Sequence, residues 1–466
     1  MTNIKPRNRI RSFETLSSWI CAILTIWLTS ITSARAADEI PGRDPGVPIA
    51  LIGGTLHTLT GPVIDKGTLL LENGRIVAIG ADVAIPDSAQ RMDLTGKHVY
   101  PGLFDAYTNL GLTEVGAVRA TRDFTETGQI NPNVRAEVAV NPDSELIPVA
   151  RSNGILLCLT APRNRLISGS SAVIQLDGWT WEDLTVKQFA GMHLQWPPMW
   201  PGRGWHIEES ANSQIEKRDR DLRQLNQILS DARAYQKAKF AASDVRKAAR
   251  QAHDTRLEAM QPVLEGKMPL IVSADDLSQI KSAVALAVRE DLKLIIHGGY
   301  DAPKCAELLK QYNVPVIIAG VYRVPLRRSD DYDAAFTLPT RLKSTGVQFC
   351  ISSSDRFGAA HVRNLPYHAA MAVAHGLPND EALKAITLYP AQILGLAHRV
   401  GSLEISKDAT LLISNGDPLV TTTEIQHAFI QGRPVDLNNR HKRLWRKYQE
   451  KYRRQGNQPA NNNSLQ

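Results

Sequence analysis

In the run VYPGLFDAYTNLGL, residues 99–112, an apolar strand from Val99 to Ala106 ends in Tyr107 and Asn109. The two stand two apart and so face the same side of a strand. A pair of imidazoles so placed would hold a metal ion, whereas a phenol and a neutral amide are poor ligands for zinc. His297 in LKLIIHGG and Asp355 in CISSSD close two other apolar runs, with His361 and His368 following. Each also has a plainer use, His297 as a hydrogen-bonded pocket side chain and Asp355 as a helix cap or ion-pair partner. The loop after the first run carries Arg119, Arg122, Asp123, Glu126, Asn131 and Arg135. Arginines fixed there could clamp an anionic substrate, or they could form the ion pairs that order a long loop.

Positioning such groups requires strands whose ends converge. Strand-like runs at Ile155–Thr160, Ala172–Leu176, Leu270–Ala274, Leu292–His297, Val314–Ala319 and Val347–Ser352 alternate with helical stretches such as Leu277–Arg289 and Ala302–Gln311. That alternation predicts an α/β fold with a parallel sheet closed as a (β/α)₈ barrel over residues 99–396. On either side, residues 47–98 and 397–436 read as short strands. Asn73-Gly74 marks a tight hairpin, and the two flanks are expected to build one small β-sandwich from both chain ends. Residues 179–265, which open with five tryptophans (Trp179, Trp181, Trp196, Trp200 and Trp205) and continue into charged helix, read as an insertion. The rings serve either as a ligand platform or to bury the insertion against the barrel.

The whole chain narrows the classes further. Basic residues, a short apolar run from Trp19 to Leu28 and Ala34-Arg35-Ala36 read as a secretory signal peptide over 1–36. The expectation is an exported protein, periplasmic or extracellular, with no membrane span after cleavage. The net charge of +7 sits at the ends, because the signal segment carries +4 and residues 440–454 another +7, leaving the body at −4. The basic tail, residues 437–466, reads as a solvated helix or an interaction arm, and no nucleic-acid motif accompanies it. Beyond the signal segment only Cys158, Cys305 and Cys350 remain, without a C-x-x-C, which excludes a zinc knuckle or redox pair. No G-x-G-x-x-G follows a strand, and neither a Walker A nor a G-x-S-x-G motif occurs.

The stretches GGTLHT, ENGRIVAIGADVAIP, DLTGKHVYPGLFDAYTNLGL and ALKAITLYPAQILGLAHRVGSLEISKDATLLISNGDPL resemble the amidohydrolase superfamily, in particular secreted bacterial members near the imidazolonepropionase branch. The resemblance implies metal-assisted hydrolysis of a non-peptide carbon–nitrogen bond in a small-molecule substrate, with ligands on barrel strands one, four, five, six and eight. On that pattern Tyr107 and Asn109 stand at the strand-one ligand positions and Ser273 at the strand-five position, while strand four offers no ligand. His297 and Asp355 are retained as catalytic and metal-binding candidates. Tyr107, Asn109, Arg122 and Glu126 are the candidate substrate-binding residues. The implied cofactor is at most one weakly held divalent metal such as zinc. Two functions follow as expectations: an exported hydrolase with a reduced or rearranged metal site, or a non-catalytic binding protein using the barrel mouth. A homo-oligomer is left open.

Overall fold

The computed structural model describes residues 40–202, 207–242, 252–354 and 358–455. The signal-peptide reading, Trp205 and Asp355 therefore lie outside the described residues.

The N-terminal flank supplies β1 (Ile49–Leu56), β2 (Ile64–Glu72), β3 (Arg75–Gly80), β4 (Gln90–Asp93) and β5 (His98–Pro101). The hairpin between β2 and β3 turns at Asn73 and Gly74, both at positive φ (50° and 78°), as an Asn-Gly turn demands. Barrel strands follow: β6 (Leu103–Thr108), β7 (Ile155–Thr160), β8 (Ile167–Gln175), β9 (Thr185–Gln195), β10 (Leu270–Ala274), β11 (Leu294–Gly298), β12 (Val316–Ala319) and β13 (Phe349–Ser352). They form one sheet in sequence order, with β13 returning beside β6. This is a TIM-like barrel. Its interior is lined by residues such as Phe104, Leu157, Val173, Ile271, Ile295, Ile317 and Cys350. Helices including α1 (Ala211–Ala242), α2 (Leu277–Arg289) and α3 (Leu365–Ala374) accompany the strands. The chain returns through β14 (Leu411–Ser414), β15 (Ile425–Ile430) and β16 (Arg433–Pro434), and ends in α4 (Arg440–Arg454). The last three strands join β5 and β1–β3 in a single eight-stranded sheet. Both chain ends thus share one sheet, and its hydrogen bonding is continuous rather than divided between two stacked layers.

Two features depart from the sequence reading. β8 runs antiparallel to both β7 and β9, so this part of the barrel is a meander and not three βα units. An alternating apolar pattern carries no direction, and the short links around β8 leave no room for crossover helices. The second departure concerns residues 179–265, which are not all insertion. Their run Thr185–Gln195 is the barrel strand β9, paired in parallel with β10. The insertion proper starts after Trp196, which is 2% exposed. Its main element is α1, one 32-residue helix. Trp179 and Trp200 stay exposed, so the tryptophans do not act as one cluster.

The flank sheet is tied to the barrel by Arg151, which is 3% exposed. Its guanidinium donates to the carbonyls of Asp436 and Leu176 (2.8 Å each) and pairs with Asp177 at 3.3 Å.

Candidate functional site

The carboxyl ends of parallel barrel strands are where this architecture places chemistry. Tyr107 near the end of β6, His193 on β9, Ser273 on β10 and His297 on β11 meet there. The Tyr107 ring lies flat on the His297 imidazole, with centroids 3.6 Å apart and planes within 10°. Its other side meets His193 edge-on at 5.3 Å. Ser273 Oγ is 3.0 Å from His297 Nδ1, and Ser273 also acts on the Tyr107 phenol, partly offsetting the upward push of burial. What remains is His297 Nε2 and both ring nitrogens of His193, which are buried and have no hydrogen-bond partner among the described residues.

Asp105, two residues before Tyr107, fixes this arrangement from below. It is fully buried and accepts from the Tyr107 and Ser353 backbone N–H groups at 3.2 Å, and also from Ser353 Oγ. Ser353 follows β13, so this carboxylate joins the first barrel strand to the last.

Cations border the cluster. Arg323 forms a bidentate pair with Asp275 (3.0 and 2.6 Å), the geometry that matches a guanidinium to a carboxylate. Gly298, at φ +100°, makes room for this pair: a Cβ there would lie 2.8 Å from Asp275 Oδ1. Arg163 stands over the Phe124 ring at 4.7 Å. Burial first, then the positive charges of Arg323 and Arg163, lower the His297 pKa to about 3. Burial and His297 lower His193 to about 3 as well, and burial raises Tyr107. Near neutrality the site holds two uncharged imidazoles and an un-ionised phenol.

The candidates separate as follows. Tyr107 and His297 are brought together. Asn109 turns away, its amide donating to Thr113 Oγ1 at 2.7 Å. Arg122 and Glu126 are exposed on the loop after β6, and among the described residues neither side chain hydrogen bonds to the cluster. Asp276 caps α2 and pairs with Arg327. His368 Nδ1 accepts from Val321 N at 3.1 Å. His193, Arg163 and Arg323 were not anticipated. The signal for His193 was the alternation in VKQFAGMHLQW, hidden by the tryptophans that bracket it.

Residues 294–435 match the family model described as Amidohydrolase family. Over this part, about a third of its length, the chain is similar to the amidohydrolase family. It is 24% identical over 382 residues to an imidazolonepropionase of Brucella anthropi, covering 75% of this chain and 87% of that protein. It is 21% identical over 416 residues to the amidohydrolase tasK of Hapsidospora irregularis, covering 81% of this chain but spanning only 41% of that longer protein. Among solved structures it is similar to an amidohydrolase from Thermotoga maritima, with 24% identity, a TM-score of 0.73, and coverage of 83% of this chain and 99% of that one. Amidohydrolase chemistry ordinarily rests on divalent metal, so the donor set must be tested against one. Tyr107, Asn109 and Ser273 are not imidazoles, Ser273 engages His297 Nδ1, and Asp275 and Asp276 are taken by arginines. Among the described residues no three His, Cys, Asp or Glu side chains gather as a metal site. Among the described residues, which leave out Asp355, this set does not supply a two-metal centre.

The neutral imidazoles set an acid limit. Between about pH 3 and 6.5 the folded protein holds His193 and His297 unprotonated while the unfolded chain protonates them. Unfolding then takes up protons, so stability is fully present above 6.5 and is lost as pH falls. Each imidazole contributes a slope of about 1.4 kcal/mol per pH unit. His57, lowered to about 4 by burial and His98, adds to it. Denaturant titrations from pH 7 to pH 4 should show this fall, and His193→Phe should flatten it; a pH-independent midpoint would refute the assignment.

Proposed function

We propose that this amidohydrolase-superfamily chain is an exported hydrolase acting on a non-peptide carbon–nitrogen bond of a small anionic molecule, with a reduced metal site. The observation that carries the reading is His297: its Nδ1 is oriented by Ser273, its Nε2 has no partner among the described residues, and it lies at the carboxyl end of a barrel strand. Being uncharged, it can accept a proton from an attacking water at Nε2. Arg163 and Arg323 supply positive potential at the same point, suited to a substrate carboxylate or to charge developing on a carbonyl oxygen. Arg122 and Glu126 remain candidates for contacts farther out. The low proton affinity of His297 restricts it to bonds that are already polarised, since a weak base gives little help to a poor electrophile.

A second reading, a binding protein without turnover, is favoured by one observation. The ring of Tyr107 covers the His297 face, and Ser273 engages His297 Nδ1. The test is a panel of cyclic and acyclic amides bearing a carboxylate, assayed before and after exhaustive chelation. Turnover that drops by roughly 10²–10⁴ in His297→Ala is expected, with no more than one equivalent of divalent metal restoring whatever chelation removes. Turnover indifferent to His297→Ala, or a requirement for two metals per chain, would overturn this mechanism. Binding without turnover in any condition would establish the second reading.

A further inference from the structure

The C-terminal helix α4 has no buried residue, although one of its faces is apolar. Leu444, Tyr448 and Tyr452 recur every four residues, with Trp445 beside them, and their exposures are 38%, 48%, 43% and 62%. At ~100° per residue these four and His441 make one continuous stripe about 100° wide. The rest of the circumference is basic: eight Lys and Arg against a single Glu450, which is already paired with Arg453 and Arg454 at 2.7 Å. The base of the helix is fixed. Asn439 caps it through Lys442 N (2.9 Å) and donates to Ser152 Oγ (2.8 Å), while Arg443 pairs with Glu145 at 3.0 Å. Beyond that first turn the stripe stays exposed, with Lys451 Nζ 5.8 and 5.7 Å from the Tyr448 and Tyr452 ring centroids.

We propose that α4 is a membrane-surface anchor that lies in the headgroup region of an anionic bilayer. A helix with one aromatic face and a strongly basic opposite face is built for that boundary: the rings of Trp and Tyr sit at headgroup depth and Lys and Arg meet lipid phosphates. A helix that reads nucleic acid needs its basic side chains aimed at phosphates but gains nothing from an uninterrupted aromatic stripe. The body of the protein is mildly acidic, so attraction to an anionic surface is confined to this element. No helix among the described residues is long and apolar enough to cross a membrane, so contact would be peripheral. The proposal is independent of the catalytic reading.

The test is flotation of the purified protein with vesicles of phosphatidylglycerol and phosphatidylcholine, compared with phosphatidylcholine alone. Parent protein should float with the anionic vesicles only. The triple variant Trp445→Ser, Tyr448→Ser, Tyr452→Ser and the charge variant Lys447→Glu, Lys451→Glu should each lose at least about tenfold in partition. Both should keep the parent's thermal transition, because none of these side chains is buried. Absence of flotation by the parent, or full flotation of the aromatic variant, would overturn the proposal. So would release from the vesicles by a single-stranded oligonucleotide at the same salt, which would make the helix a nucleic-acid arm.

Discussion

Tyr107→His is expected to raise zinc affinity by about a thousandfold, because it creates a three-imidazole site of the kind catalytic zinc uses. The geometry behind this is specific. The Tyr107 ring touches His297 on one side and His193 on the other, and the free nitrogens of both histidines are buried around it. An imidazole on the same Cβ enters the space between them and brings donors from β6, β9 and β11 to one point. Loss of the phenol leaves Ser273 engaged with His297 Nδ1. Asn109→His should add little, since Asn109 faces Thr113 and not His297. Calorimetric titration of parent, Tyr107→His, Tyr107→Phe and Asn109→His separates the contributions. Equal, weak binding by parent and Tyr107→His would mean that His193 and His297 cannot turn their free nitrogens toward a common ion.

The site was legible on some strands and not on others, for physical reasons. His297 and Tyr107 end apolar runs whose lengths and flanks identify them as buried strands, and the structure brings them into contact. His193 ends an equally good strand. It was lost because Trp179, Trp181 and Trp196 drew the whole stretch into an insertion, although the first is solvent-exposed and the last is core. Strand direction was illegible, so the reversal of β8 could not be foreseen. Arg163 and Arg323 lie in loops, where no periodicity marks which way a side chain points. Asp275 and Asp276 looked available beside the strand-five position. Their partners, Arg323 and Arg327, are some 50 residues away, and only the fold makes those pairs. One turn in the flanks was legible because hairpin chemistry is local: Asn73-Gly74 alone sets the β2–β3 turn.

Asp105→Ala should destabilise the protein by about 3–5 kcal/mol, the cost of breaking a buried, hydrogen-bonded charged group. Asp105 has no exposed surface, and its carboxylate gathers Tyr107 N, Ser353 N and Ser353 Oγ. Deleting it strands the Ser353 donors inside the barrel and leaves a void between Cys158 and Cys350, the thiols whose pKa values its charge helps to raise. Asp105→Asn keeps the volume and can keep its oxygen on the Tyr107 and Ser353 N–H groups, but it replaces the oxygen that accepts from Ser353 Oγ with a donor and removes the charge, so it should recover only part of the loss. The effect should extend past stability. Because the same carboxylate orients the strand end that carries Tyr107, both variants should also loosen the stack on His297 and raise its pKa toward the ordinary histidine value by admitting water. Urea denaturation measures the first effect and NMR titration of the His297 ring the second. Asp105→Ala with parent-like stability would show that barrel closure rests on the β6 and β13 backbones alone.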